Sequence, residues 1–283
     1  METENFSNRI PPWLLSVVMG VISVAASIGY GVFVEKVVTA RYIIVPGILA
    51  PTLTYFAYRS IWKYKNLLKA EREKSEQLLQ NILPQSIIEQ LKSSPHHEIA
   101  QSFQETTILF TDIVSFTPLA ATLSPAELVG VLNRVFSAFD ELAERYRVEK
   151  IKTIGDAYMV AAGVPVPRPD HAEVIAEMAL AMHAAVDAMR LPDGQALQLR
   201  SGIHTGSVVA GIIGKKKFTY DIWGDTVNLA SRMESQGLPG RIQVSPAVYE
   251  CLRERYVFRE RGKIEVKGKG EMTTYFLTGR QEQ

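Results

Sequence analysis

Residues 105–114 read ETTILFTDIV, and residues 148–162 read VEKIKTIGDAYMVAA. The first is an apolar, β-branched run that reads as a buried strand. The second is two such runs meeting at Gly155-Asp156, a two-residue hairpin signal. Between them, Ser124 to Tyr146 opens with Ser-Pro-Ala-Glu, a capping-box start, and continues as an amphipathic helix. Downstream, His171 to Arg190 reads as a second long helix ended by the turn LPDG. Leu197 to Ile213 reads as a strand, with glycines at 202, 206, 211 and 214 at or just beyond it. Lys217 to Ile222 is a further strand, Thr226 to Gln236 a helix, Arg241 to Val244 a strand, Pro246 to Glu254 a short helix, and Phe258 to Thr278 a terminal hairpin. The order β-α-β-β-α-β, with extensions, predicts an α+β, ferredoxin-like (split βαβ) domain with a mainly antiparallel sheet.

Upstream the composition changes. SSPHHE, Ser93 to Glu98, is a polar break that places the domain boundary near residue 98. Residues 63–97 form a linker, and Ile61 to Leu91 are rich in Lys, Glu, Gln and Leu with no Gly, a helical composition. Ile61, Tyr64, Leu68, Leu78 and Ile82 fall on a heptad-like stripe interrupted by the polar Glu71 and Ser75. A short parallel coiled coil joining two copies of the chain fits this stripe; the alternative is a lone amphipathic helix. Pro84 must end or kink the helix.

Residues 1–62 hold the apolar excess. Trp13 to Val34 is 22 residues without a charge, enough as a helix for a hydrocarbon core of about 30 Å. Tyr42 to Tyr58 is a second uncharged run, weakened by Pro46 and Pro51. Two transmembrane helices, about 13–34 and 42–62, are therefore expected. A cleaved signal peptide competes for the first run and a re-entrant segment for the second. Arg59, Lys63, Lys65, Lys69, Arg72 and Lys74 follow the second run and place that flank in the cytoplasm. The expected protein is a multi-pass protein of the cell (inner or plasma) membrane with residues 98–283 as a cytoplasmic domain.

The whole chain has 283 residues, 47% of them hydrophobic, and a formal net charge of +1 from 31 Lys+Arg and 30 Asp+Glu. This excludes a disordered chain and argues against a nucleic-acid binder, which would be clearly basic. Cys251 is the only cysteine, so there is no intrachain disulfide framework or Cys-rich zinc site.

Three clusters carry chemistry. Asp112 closes the first strand and Asp156 sits at the hairpin tip, so both carboxylates can reach one end of the sheet. Such a pair suits Mg²⁺ or Mn²⁺, which take oxygen ligands and keep positions open for phosphates. Either Asp alone would more often be a turn or capping residue. Lys152 precedes Asp156 on the same hairpin, and Lys267 and Lys269 alternate with glycines in KGKGEM. Lys215 to Lys217 read as a solvated turn. In FTYDIWGDTVNLASRME, Asp221 ends a strand, and Asn228 and Arg232, four apart, share one helix face. There they could bind ribose or a developing phosphate charge, or Arg232 could be an ordinary surface residue.

FTDIVSFT, KTIGDAYM, GIHTGSVVAGIIG, YDIWGDTVNLASRM and KGKGEMTTYFL, in this order, resemble the catalytic domain of class III nucleotidyl cyclases. LLQNILPQSIIEQLK resembles the helical linker that precedes it. The resemblance implies conversion of a nucleoside triphosphate to its 3′,5′-cyclic monophosphate and pyrophosphate. It implies two Mg²⁺ or Mn²⁺ per site on Asp112, Asp156 and the backbone of Ile113. Lys152 and Asp221 match the base-reading pair. Asn228 and Arg232 match the transition-state residues. Lys267, with Phe116 and Thr117, falls on the phosphate-binding positions. Lys152 offers a donor and Asp221 an acceptor, which match adenine N1 and N6, so ATP is the expected substrate. A guanylyl or relaxed-specificity cyclase and a catalytically silent regulatory module are the alternatives. The family's sites lie between two domains, so a head-to-tail homodimer is expected. Ser207 stands where some members carry a phosphate-contacting Arg after His-Thr-Gly. His204 reads as structural and Asp225 as a helix cap.

Overall fold

The structure, a computed structural model, describes residues 12–35, 45–80, 82–93, 99–191, 194, 196–214 and 218–281. Lys215 to Lys217, most of SSPHHE and most of the turn between the two apolar runs lie outside them. The chain divides into two compact units, residues 1–79 and 80–283.

In the first unit, helix α1 covers Pro12–Glu35, a π-helical segment covers Val45–Leu49, and α2 covers Ala50–Gln80. The π-helical segment and the start of α2 pack on α1 at backbone-close distances. A Cβ on Gly20 would stand 2.8 Å from Pro51 Cγ, and one on Gly47 2.8 Å from Val24 Cγ2. No residue of α2 is buried. Ile61, Tyr64, Leu68 and Leu78 of the expected stripe are 55–67% exposed.

Among the described residues no helix is long and apolar enough to cross a membrane. The two transmembrane helices expected at about 13–34 and 42–62 are thus not established. The second run is not one element. Of its described residues, Val45–Leu49 form the π-helical segment and 50–58 open α2, which continues unbroken into the charged residues 63–80.

The second unit begins with α3, Gln85–Ser93, which starts immediately after Pro84. Leu83, Ile87 and Ile88 are buried, so the end of the linker packs as part of the domain. There follow β1 (Ala100–Ile113), α4 (Phe116–Thr122), α5 (Pro125–Tyr146), β2 (Glu149–Ile154), β3 (Ala157–Ala162) and α6 (His171–Asp187). The remainder is β4 (Leu199–Ile213), β5 (Thr219–Trp223), α7 (Asp225–Ser235), β6 (Ile242–Val244), α8 (Pro246–Leu252), β7 (Tyr256–Val266) and β8 (Gly270–Arg280).

The sheet order is β2-β3-β1-β4-β6-β8-β7, with β5 added to β4. The pairings are antiparallel except β4 with β6. The α+β split-βαβ expectation therefore describes the core, β2-β3-β1-β4, with β1 between two antiparallel neighbours. Strand β1 starts at Ala100 rather than Glu105, because its first residues pair with Val208–Gly211. The capping box at Ser124 and Glu127 is formed, with Pro125 at the start of α5.

Alternation along the strands sorts side chains to two faces. Leu109, Ile113, Tyr158, Val160, Leu199 and Ile203 face a core shared with α5 and α6. There Val135, Phe139, Ile175, Met178 and Met182 are fully buried. The opposite face carries α7, brought in at backbone distance. A Cβ on Gly202 would lie 1.9 Å from the Glu234 amide nitrogen, and one on Gly206 2.7 Å from Thr226 Oγ1. These two glycines make β4 the bed of α7.

Replacing Gly202 with Ala must push α7 off the sheet; overpacking of this kind costs about 1–3 kcal/mol. Gly130 lies within α5 with nothing within 4 Å of a Cβ, so Gly130→Ala should stabilise by about 0.4–1 kcal/mol. Denaturant midpoints of the two variants should move in opposite directions.

The buried polar layer predicts a pH dependence. Burial pushes the His183 and His204 imidazoles down to about 4 from 6.5, and burial also lowers His171. His183 shares a hydrogen bond with Ser201 Oγ at 2.9 Å, and His204 with Ser245 Oγ at 2.6 Å. The folded chain binds fewer protons than the unfolded one in that window, so stability falls as pH drops from about 6.5 towards 4. His183→Gln should flatten this part of a melting-temperature-versus-pH curve.

Candidate active site

The C-terminal end of β1 turns sharply. Ser115 adopts a left-handed conformation (φ 59°), and α4 opens with Phe116 and Thr117. Phe116 packs partly against the main core, while Thr117 is exposed. Asp112 is therefore held at the rim of a central strand. Asp156 occupies the two-residue turn between β2 and β3, where Ile154 pairs with Ala157 and Gly155 takes φ 64°.

The two carboxylates lie within electrostatic reach of one another. Burial raises the Asp156 carboxyl and the Asp112 charge adds to it, against backbone hydrogen bonds from Asp156 itself and Ile113. Among the described residues no group of three or more His, Cys, Asp or Glu side chains could hold a metal. Two carboxylates still suit a hard cation that takes its remaining ligands from water and phosphate. One observation fits a cation here. Asp112 Oδ1 is buried without a hydrogen-bond partner, a costly state for a carboxylate oxygen unless a cation faces it.

Two residues at this rim escaped the sequence reading. Arg200 of β4 pairs across from Asp112. Its Nη2 donates to Asp112 Oδ2 at 2.6 Å, and its Nε donates to Glu234 Oε1 at 2.8 Å. Burial and the neighbouring Asp112 carboxylate raise the Glu234 carboxyl well above its usual range, against the pull of Arg200. Neither residue belongs to a spacing pattern. Only the β1–β4 register, which sets Asp112 against Arg200, together with the docking of α7, which brings Glu234 to Arg200, would have indicated them.

Lys152 of β2 and Asp221 of β5 come together from 69 positions apart. Lys152 Nζ donates to Asp221 Oδ2 at 2.5 Å. Asp221 Oδ1 also accepts the Ile222 amide at 2.9 Å, which fixes the carboxylate plane.

Asn228 and Arg232 lie one turn apart on α7, with Asn228 exposed. Arg232 Nη1 donates to the Lys267 carbonyl in the β7–β8 turn. Gly268 and Gly270 there have φ 74°, a conformation open to glycine. The turn is docked on α7 by Leu229, Met233 and Val266, which form a small apolar cluster. Lys269 Nζ approaches Asp225 Oδ2 at 2.7 Å. Asp225 is not the helix cap. Gly224 is the N-cap at φ 144°, and Asp225, the first helical residue, pairs with Lys269 instead. The Ser207 carbonyl accepts the Thr226 hydroxyl at 2.6 Å, which ties β4 to the start of α7.

The protomer thus assembles the carboxylate pair, the Lys152–Asp221 pair and the Arg232–Lys267 contact. Among the described residues no hydrogen bond or ion pair joins Asn228 or Arg232 to Asp112 or Asp156.

Residues 98–279 match the family described as "Adenylate and Guanylate cyclase catalytic domain". The chain is 45% identical over 271 residues to an adenylate cyclase of Mycobacterium tuberculosis, covering 96% of this chain and 57% of that protein. It is 47% identical over 214 residues to guanylate cyclase soluble subunit beta-2 of Rattus norvegicus, covering 75% of this chain and 31% of that protein. The chain therefore spans little more than half, or less, of the length of these relatives. A solved guanylate cyclase domain of RhGC from Catenaria anguillulae, in complex with GTP, is similar at 35% identity and a TM-score of 0.62. The likeness covers 64% of this chain and all of that one. The match along residues 98–279, over a sheet with a split-βαβ core, places the chain in the class III nucleotidyl cyclase family.

Proposed function

We propose that the chain is a membrane-anchored adenylyl cyclase that converts ATP to 3′,5′-cyclic AMP and pyrophosphate, at sites shared across a homodimer. The Lys152–Asp221 pair carries the choice of ATP. It presents one ammonium donor and one carboxylate acceptor side by side, held at 2.5 Å. Adenine offers the complementary N1 acceptor and N6 donor, whereas guanine offers an O6 acceptor beside N1 and N2 donors. The guanylate cyclase named above keeps a relaxed or guanylyl specificity as the second reading.

Asp112, Asp156 and the Ile113 carbonyl would hold two divalent ions, Mg²⁺ or Mn²⁺. Bound there, the ions supply charge that eases deprotonation of the ribose 3′-hydroxyl and offsets charge on the phosphates. The 3′-oxygen attacks the α-phosphorus, the bond to the β-phosphate oxygen breaks, and pyrophosphate leaves. Asn228 orients the ribose, and Arg232 meets charge developing at the α-phosphate. Lys267 neutralises the terminal phosphates, with Phe116 and Thr117 at the loop beside them. For Arg232 to act, its guanidinium must exchange the Lys267 carbonyl for phosphate, a stronger charge-assisted partner.

Shared sites are in keeping with the lack, among the described residues of one protomer, of any hydrogen bond or ion pair joining Asn228 or Arg232 to Asp112 or Asp156. The exposed stripe Ile61, Tyr64, Leu68 and Leu78 on α2 supports pairing of two linkers. The uncharged run Trp13–Val34 and the basic flank from Arg59 to Lys74 support a cell-membrane anchor with a cytoplasmic catalytic domain.

Asp112→Ala and Arg232→Ala should each lower cyclase activity at least about a hundredfold. An equimolar mixture, re-equilibrated as dimers, should recover about a quarter of wild-type activity, since half the dimers hold one intact site. No recovery on mixing would refute shared sites. Separately, Lys152→Glu combined with Asp221→Cys should lower the ATP-to-GTP ratio of kcat/KM by at least about tenfold; an unchanged ratio would remove the base-reading role.

A further inference from the structure

Arg200 is clamped more firmly than a surface arginine. It stands across from Asp112 in the β1–β4 ladder, and its guanidinium is divided between Asp112 on β1 and Glu234 on α7, at 2.6 and 2.8 Å. The three side chains are only 30%, 17% and 9% exposed. Its stem is confined, since a Cβ on Gly237 would come within 3.0 Å of Arg200 Cγ. A planar guanidinium can direct separate N–H groups at two carboxylates at once, which a lysine ammonium on its flexible stem does poorly.

The consequence for Asp112 is chemical. Oδ2 is engaged by Arg200, while Oδ1 is buried and has no hydrogen-bond partner. One oxygen is thus reserved and the other left for a ligand. The consequence for the rim is electrostatic. Asp112, Asp156 and Glu234 gather around a single permanent cation, Arg200. That cation opposes the approach of a second one unless additional negative charge arrives with it.

We propose that Arg200 is a positioning residue of the metal site: it restricts Asp112 to ligation through Oδ1, and its charge keeps divalent-ion affinity low until the triphosphate supplies further oxygens. Glu234 holds the other side of the guanidinium from α7, the helix that also carries Asn228 and Arg232. The inference rests on the reading of Asp112 as a metal ligand.

Mn²⁺ binding to the full chain without nucleotide, followed by the electron paramagnetic resonance of free Mn²⁺, tests it. Arg200→Gln should bind Mn²⁺ at least about tenfold more tightly than the wild type, the scale on which groups behind the ligands tune metal sites. Arg200→Lys, which keeps the charge and loses the fork, should stay within about threefold of wild-type Mn²⁺ affinity while kcat falls more than the KM for ATP rises. If Arg200→Gln fails to fold, Arg200→Gln with Glu234→Gln also removes the second buried carboxylate that Arg200 neutralises and should likewise bind Mn²⁺ more tightly, because both Asp112 oxygens become available. Unchanged or weaker Mn²⁺ binding in whichever of these folds overturns the role of Arg200. Adding Asp112→Asn separates the two ideas. Mn²⁺ binding that survives this change shows that Asp112 is not the ligand and overturns the underlying reading, whereas binding lost with Asp112→Asn but indifferent to Arg200→Gln overturns the Arg200 proposal alone.

Discussion

The register of β1 between β3 and β4 is the constraint on which the rest of the domain depends. Tyr158 opposes Thr111 on one side, and Arg200 opposes Asp112 on the other. A slip of one residue would turn Leu109 and Ile113 out of the core and Asp112 into it. The apolar residues of β1 therefore fix the rim as well as the core. They hold Asp112 beside the β2–β3 turn that carries Asp156, and they present it to Arg200. Burial of the β1 side chains that face α5 and α6 sets the position of a carboxylate on the opposite face.

That opposite face depends on two absent side chains. On this face of β4 Gly202 and Gly206 flank His204, so the strand is bare at the two points where α7 comes closest, while Ile203 faces the core. The helix consequently lies against the strand backbone rather than on side chains. Its orientation is steric, secured by Thr226 on the Ser207 carbonyl and by Arg200 on Glu234. Asn228 and Arg232 inherit that orientation. A looser, side-chain-cushioned helix could not hold two polar groups for a reaction that tolerates little misplacement.

Much of this was legible in the sequence, for identifiable reasons. The β-α-β-β-α-β order followed from period-2 runs and one Gly-Asp hairpin, both local signals. The nearness of Asp112 and Asp156 followed from that topology. Lys152 and Asp221 could be paired only through the resemblance, because they sit on β2 and β5, and β5 joins the sheet as an addition to β4. Arg200 and Glu234 were invisible for a related reason. An arginine in LRSG and a glutamate in RMES have no spacing that announces a metal site, and they acquire meaning only from cross-strand register and helix docking. Asp225 was misread as a cap because Asp is a common N-cap. The left-handed demand of Gly224 moved the cap one residue earlier. The transmembrane expectation rested on the length of two uncharged runs and a basic flank; the described part of the second run is divided between a π-helical turn and a helix that continues into charged residues.

The charge distribution of the rim follows one rule. Cations and anions are paired within the protomer wherever they lie close: Lys152 with Asp221, Arg200 with Asp112 and Glu234, Lys269 with Asp225. Arg232 rests on a neutral carbonyl rather than a carboxylate. A carboxylate partner would have to be broken at full cost to free the guanidinium, whereas a carbonyl yields readily to a phosphate. On the proposed reading, the residue that must meet charge developing in the transition state is thus the one held by the weakest counterpart. Residues that only read or position are locked by charged ones. This explains how a chain of net charge +1 can present a site for a polyanion. Neighbouring charges cancel in pairs, while Arg232 keeps its charge on a neutral partner, at the position where the proposed reaction creates new negative charge.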